Sequence, residues 1–175
     1  FNFAFQPATE QQFVAMILDG LPEPPPYFPV MKRLNKRGAA ILGGIPSPAE
    51  LSVADLRAIQ RDGSATLLDV RTAEQFGEGF LAGSLNIGNG PSLPNWAGWA
   101  VSYERPIAVI VPDADAVAEA VTWLIRIGLD DVVGYAVADL DAWRAAGLEI
   151  DAIEQFDPRE IDALLEAGDL QLLDV

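Results

Sequence analysis

Leu67-Leu68-Asp69-Val70-Arg71-Thr72-Ala73-Glu74-Gln75-Phe76-Gly77-Glu78-Gly79-Phe80-Leu81-Ala82-Gly83-Ser84-Leu85-Asn86-Ile87 is the stretch whose reading decides the fold. Residues 65–70 form a short apolar run without polar alternation, the pattern of a parallel strand buried on both faces. Asp69 and Arg71 sit at its carboxyl end, where open α/β sheets place their clefts. Gly77, Gly79 and Gly83 then carry the chain through turns into a second apolar run at residues 85–87.

Working outward, Ser52 is placed to cap a helix carrying Val53, Leu56 and Ile59 that ends near Asp62-Gly63. Downstream, Gly88-Asn89-Gly90 is only a faint echo of a phosphate loop and reads as a turn. Residues 107–111 read as a strand bounded by Pro106 and Pro112. Asp113 or Asp115 can cap the helix that follows, which runs through Val117, Val121 and Leu124 to Gly128. Residues 132–135 form the next strand, and Leu140, Trp143 and Leu148 belong to a last helix and its exit. Upstream, residues 1–5 alternate as an edge strand would. Thr9 and Gln12 have capping-box spacing for a helix through Phe13, Met16, Ile17 and Leu18, which Gly20 can end. The proline-rich run Leu21-Pro22-Glu23-Pro24-Pro25-Pro26-Tyr27-Phe28-Pro29 is expected to be extended, because proline fixes φ and restricts its predecessor.

Asp-Val-Arg at residues 69–71, Glu74, and Gly-Phe-Leu-Ala-Gly-Ser-Leu-Asn-Ile at residues 79–87 resemble the rhodanese pattern of Asp-Val-Arg, Gly-His-Ile-Pro-Gly-Ala and an Asn-Ile strand. Phe80 and Ala82 depart from the usual His and Pro. The resemblance implies an α/β fold with a small parallel sheet and helices on both faces, preceded by an α-helical, Pro-rich tail. That tail, residues 13–38 with Pro-Pro-Pro-Tyr-Phe-Pro-Val-Met-Lys-Arg-Leu-Asn, resembles the carboxyl end of the metallo-β-lactamase module in fusions with rhodanese domains, which resemble persulfide dioxygenases. Leu51 to Val70 also aligns without gaps to Phe156 to Val175, the signature of a repeated unit.

Composition narrows the chemistry. The 175 residues carry a formal charge of −15, which repels nucleic acid and anionic lipid. No cysteine and no histidine is present, so thiolate catalysis, a Ser-His-Asp triad and the usual zinc sites are excluded, and neither metal nor cofactor is expected. Without a basic leader or an apolar run of about 20 residues, the chain is expected to be soluble and cytoplasmic.

In a catalytic rhodanese the strand equivalent to residues 107–111 ends in cysteine, and loop N–H groups with the positive helix end stabilise its thiolate. Counting back from Gly128 puts Val111 at that position. The loop Val111, Pro112, Asp113, Ala114, Asp115, Ala116 and Val117 therefore reads as degenerate: no nucleophile, one donor lost to proline, and two carboxylates where an anionic sulfur would sit. No catalytic residue is assigned. Asp69, Arg71, Glu74, Gly79 and Gly83 are read as a structural motif. Phe13, Met16, Ile17 and Trp96 are candidate interface residues, although Trp96 and Trp99, three apart, more often mark core and cover.

The domains expected are residues 1–45, the tail of an upstream module with linker; residues 46–150, a rhodanese-like domain; and residues 151–175, the start of a second, truncated copy in what reads as a fragment. The expected role is non-catalytic docking of adjacent domains of the parent chain, with self-association possible. An active sulfurtransferase, a carboxylate-based hydrolase, or a small-ligand module at the degenerate loop are the alternatives.

Overall fold

A computed structural model describes residues 9–157 together with Arg159, Ile161, Leu165 and Gly168. Four parallel strands make the central sheet, in the order β3 (Leu85–Asn86), β1 (Thr66–Asp69), β4 (Ile107–Val111), β5 (Val132–Val137). A two-stranded antiparallel pair, β2 (Phe80–Leu81) with β6 (Ile150–Asp151), closes one side. Parallel neighbours need crossovers, and helices supply them: α4 (Ala73–Glu78) and α5 (Leu93–Ala100) serve the β1 and β3 side, and α6 (Ala116–Ile125) links β4 to β5. The parallel sheet with helices on both faces agrees with the sequence reading.

Period-2 alternation divides the core. Leu68, Val109 and Val111 join Leu93 and Ala97 of α5 and Val117, Val121 and Leu124 of α6 in one cluster. Leu67, Ala108 and Ile110 point the other way, to Leu56 and Ile59 of α3 (Val53–Asp62) and Trp143 of α7 (Leu140–Ala145). All five residues of β4 are buried. Each large apolar side chain so buried contributes about 1.5–3 kcal/mol.

Local signals account for most helix starts. Ser52 and Asp55 form a capping box on α3, and Thr9 and Gln12 form one on α1 (Glu10–Leu18). The proline-rich run is a correction: α2 spans Tyr27–Arg37, so Tyr27, Phe28 and Pro29 are helical rather than extended. Pro29 lies in the first turn, where the missing N–H would have had no intrahelical acceptor, so the ring removes no bond. The edge-strand reading of residues 1–5 lies outside the described residues, as does most of the second repeat. Of the latter, Phe156 and Asp157 are non-helical, and Arg159, Ile161 and Leu165 are helical.

The two upstream helices behave differently. α2 lies on the domain body: Met31 packs against the α5/α6 cluster. A Cβ on Gly98 of α5 would come within 2.7 Å of the Tyr27 ring, and one on Gly128 would overlap Leu34. α1 has no buried residue. Between them and α3, the chain is strapped to the open edge of β5, with Leu51 N–H donating to Tyr135 O at 2.7 Å and Tyr135 N–H to Ala49 O at 3.0 Å.

Two outcomes follow from these contacts. Alanine is a better helix former than glycine by about 0.5–1 kcal/mol, but at position 98 its methyl meets Tyr27. Gly98→Ala is expected to destabilise the chain to urea, and to stabilise it by about 0.5–1 kcal/mol once Tyr27→Ala has removed the ring. Equal gains in both backgrounds would mean that α2 does not pack there.

Tyr103 donates its hydroxyl to Ile127 O at 2.8 Å. Burial, with smaller contributions from Tyr27 and Asp130, pushes this phenol up to about 12 from 10.0. The folded state therefore holds the proton more tightly than the unfolded chain. The resulting stabilisation is complete below pH 10 and is lost as pH rises towards about 12. Tyr103→Phe should cost about 1 kcal/mol at neutral pH and make the decline in stability between these two values shallower, as read from urea midpoints.

Candidate functional site

The carboxyl ends of β1 and β4 carry the two features singled out in the sequence. At the end of β1, Asp69 is fully buried and Arg71 is 5% exposed. Arg71 Nη2 lies 2.6 Å from Asp69 Oδ2, and Nε lies 3.0 Å from each carboxylate oxygen. The same guanidinium donates from Nη1 to Gln75 O at 3.2 Å and from Nη2 to Gly79 O at 2.8 Å. It thus ties the strand end to both α4 and the turn into β2. A planar fork with fixed donors can do this; a lysine ammonium cannot. Asp69 also accepts from the Arg71 N–H at 3.0 Å, which closes the turn.

The other motif residues have separate tasks. Gly79 brings its carbonyl to Arg71 and lies close against α7: a Cβ would sit 2.9 Å from Leu140 Cδ1. Gly83, at φ 86°, makes the turn before β3. Glu74 is exposed in the first turn of α4, and its own backbone N–H, then the Thr72 hydroxyl, hold its carboxyl below the usual range. Thr72 caps α4, in a box with Gln75. Asn86, which the motif reading did not single out, donates from Nδ2 to Asp69 O and to Arg71 O, both at 3.0 Å. Its place in the Asn-Ile stretch was the available signal.

The loop after β4 has a different character. Val111 is fully buried in the α5/α6 cluster, and Val117 is 8% exposed beside it. Pro112, Asp113, Ala114 and Asp115 are exposed, and Ala116 is half-buried. Asp113 Oδ1 accepts from the Ala116 N–H at 3.1 Å, so the chain's own carboxylate occupies a donor at the start of α6. Asp115 occupies the cap position without a side-chain hydrogen bond. Among the described residues, no three His, Cys, Asp or Glu are grouped to hold a metal ion. No helix among them is long and apolar enough to cross a membrane.

Of the candidate interface residues, Phe13 and Ile17 are each 39% exposed, Met16 is half-buried and Trp96 is 59% exposed. Trp99 is exposed as well, so the expectation of core and cover for this pair is corrected. On α5 the inward positions are Leu93 and Ala97, and the two tryptophans fall on the remaining faces.

The rhodanese-like domain family matches residues 52–146, from the cap of α3 through α7. The chain belongs to this family. The rhodanese-like segment is just over half of the chain, and a solved metallo-β-lactamase from Staphylococcus aureus is similar over more than that. The likeness covers 79% of this chain and 38% of the other, at 26% identity and a TM-score of 0.60. The chain thus spans a little over a third of that protein's length. A protein from Anabaena sp. shares the fold at 22% identity and a TM-score of 0.51, over 64% of this chain and 97% of its own. EanB, solved in complex with ergothioneine, shares it at 15% identity and a TM-score of 0.54, over 73% and 34% of the two chains.

In this rhodanese-like domain the Asp69–Arg71 pair is a buried strut. Arg71→Met, which leaves Asp69 buried without its cation, is expected to cost about 3–5 kcal/mol. Gly83→Ala, strained at a positive φ but in open space, should cost about 1 kcal/mol. Urea unfolding of the two variants checks the order; equal losses would remove the pair from its place as the strut.

Proposed function

We propose that the rhodanese-like domain is a non-catalytic docking module of a fusion that joins it to a metallo-β-lactamase module, the parent resembling a persulfide dioxygenase. The observation that carries this reading is the loop after β4. A fully buried valine stands at the position that the count back from Gly128 equates with the nucleophile of catalytic rhodaneses, and Asp113 supplies an internal anion to the Ala116 N–H. An incoming anionic sulfur would meet a satisfied donor, a proline without an N–H, and two carboxylates.

The likeness to a metallo-β-lactamase beyond the family match supports the fusion. Docking is supported by how the flanking chain is held. α2 packs on the domain through Tyr27, Met31 and Leu34. Residues 49–51 are strapped to β5. On the other side the Ile153 N–H donates to Gly77 O at 2.9 Å, and Ala82 N–H to Glu149 O at 2.9 Å. Segments entering and leaving the domain are therefore fixed relative to it, while α1 keeps Phe13 and Ile17 open for a neighbouring module.

Thiosulfate-to-cyanide sulfur transfer by this chain is expected to stay at the buffer rate, and turnover above it would overturn the non-catalytic reading. Val111→Cys alone should not create activity. Its thiol would lie in an apolar cluster beside Asp113, and each pKa unit by which these raise it costs about 1.4 kcal/mol of thiolate. Adding Asp113→Asn and Asp115→Asn should increase persulfide formation over the single variant; no increase would show that burial, rather than charge, limits it. Docking is read separately, by light scattering. The whole chain should self-associate through α1, and Phe13→Glu with Ile17→Glu should suppress this. A monomer in both cases would remove α1 from the docking role.

A further inference from the structure

A cleft of about 530 Å³ runs between β3 and α5, and no residue of the loop after β4 lines it. One wall is the chain at residues 85–89; the other is Ser92, Trp96 and Ala100, spaced four apart and therefore on one stripe of the helix. β3 is the outermost strand, paired on one side only. Its partners are Leu68 with Leu85 and Asp69 with Asn86, and the Ile87 N–H donates to Asp69 O at 2.9 Å. In a parallel ladder the N–H and C=O of one residue point the same way and alternate along the strand. Leu85 and Ile87 therefore face β1, and Asn86 turns its N–H and C=O to the open side that the cleft follows.

The side chain of Asn86 is engaged inward with Asp69 O and Arg71 O, which fixes the main chain at that point. At the far end, Asn89 Nδ2 donates to Glu119 Oε2 at 3.2 Å, which settles the amide's orientation, and Oδ1 has no partner among the described residues. Trp96 lines the cleft with 59% of its surface exposed. The cleft thus offers a main-chain donor beside a main-chain acceptor, and an aromatic wall.

We propose that this cleft binds a flat nitrogen heterocycle with a hydrogen-bond donor adjacent to an acceptor, the class of aminopyridines, aminopyrimidines and lactams. The donor and acceptor pair with the Asn86 C=O and N–H, and the ring lies against the Trp96 indole. Two features disfavour the other occupants. A chain of charge −15 repels an anion, and a two-residue edge strand is too short to build a ladder with an extended peptide. This inference is independent of the docking role, because neither the loop after β4 nor α1, α2 or residues 49–51 line the cleft.

The test is a titration of the full, isotope-labelled chain with 2-aminoquinoline, followed by amide and indole NMR signals. The amides of Asn86 and Gly88 and the Trp96 indole are expected to shift saturably. N,N-dimethyl-2-aminoquinoline keeps the rings but lacks the donor, and should bind at least about tenfold more weakly. Trp96→Ala should weaken binding at least about fivefold, with unchanged Val109 and Ile110 amides showing that the fold is retained; Trp99→Ala, off the cleft, should leave affinity unchanged. No saturable shift, shifts confined elsewhere, equal affinity for the two quinolines, or undiminished affinity in Trp96→Ala would each overturn the proposal.

Discussion

The buried Asp69–Arg71 pair is the constraint on which the arrangement of this domain depends. Removing two charges from water carries a penalty of several kcal/mol per ion, and attraction alone repays it only where geometry and further hydrogen bonds are favourable. Here the guanidinium uses all three nitrogens, on Asp69, Gln75 O and Gly79 O. The two carbonyls it reaches belong to α4 and to the turn into β2. One side chain therefore joins three consecutive elements whose own contacts are small: α4 has six residues and β2 has two. Gly79 contributes at the same place: its carbonyl accepts from Arg71, and a Cβ there would crowd the Leu140 side chain of α7.

From that strut the rest of the sheet's carboxyl edge is laid out. Asn86 bonds Asp69 O and Arg71 O, which sets β3 beside β1. The Asn89 N–H donates to Val70 O at 2.9 Å and carries the chain over to α5. The cleft beside Trp96 and the loop beside Val111 both build on this frame, through β3 and β4 on either side of β1, and neither Asp69 nor Arg71 lines the cleft. A buried Asp–Arg pair at a strand end looks catalytic in isolation. Its partners show instead that four of the five guanidinium N–H groups are engaged within the chain, on a side chain only 5% exposed.

Elements with a strong local signal were legible in the sequence. β4 reads as five consecutive apolar residues between prolines, and α3 has a cap, an apolar stripe and a terminal glycine; both lie where the sequence puts them. The start of α2 was not legible, because a proline run argues for extended chain residue by residue while the first turn of a helix needs no proline N–H. β2 and β6 are two residues each and exist by pairing with one another across the fold, a long-range fact with no local pattern. At the site, the identities in the loop could be read but the burial of Val111 could not. The exposure of Trp96 and Trp99 was also hidden, since spacing of three gives a shared side of α5 without saying which side faces the core.

The position of Val111 shows how far residue identity and backbone geometry act together. Strand alternation sends odd-numbered residues of β4 into the α5/α6 cluster, so Val109 and Val111 face the same way. The valine therefore adds to the core in a manner a solvent-reaching nucleophile could not, about 1.5–3 kcal/mol for full burial. Asp113 likewise does for the start of α6 what a capping residue does, accepting from the Ala116 N–H. Residues at the loop thus contribute to stability through the backbone donor and the strand position that the proposed reading equates with those of a catalytic rhodanese. On the proposed reading, stabilising the loop and binding an anionic sulfur are competing uses of one N–H, and the Asp113 carboxylate already takes it.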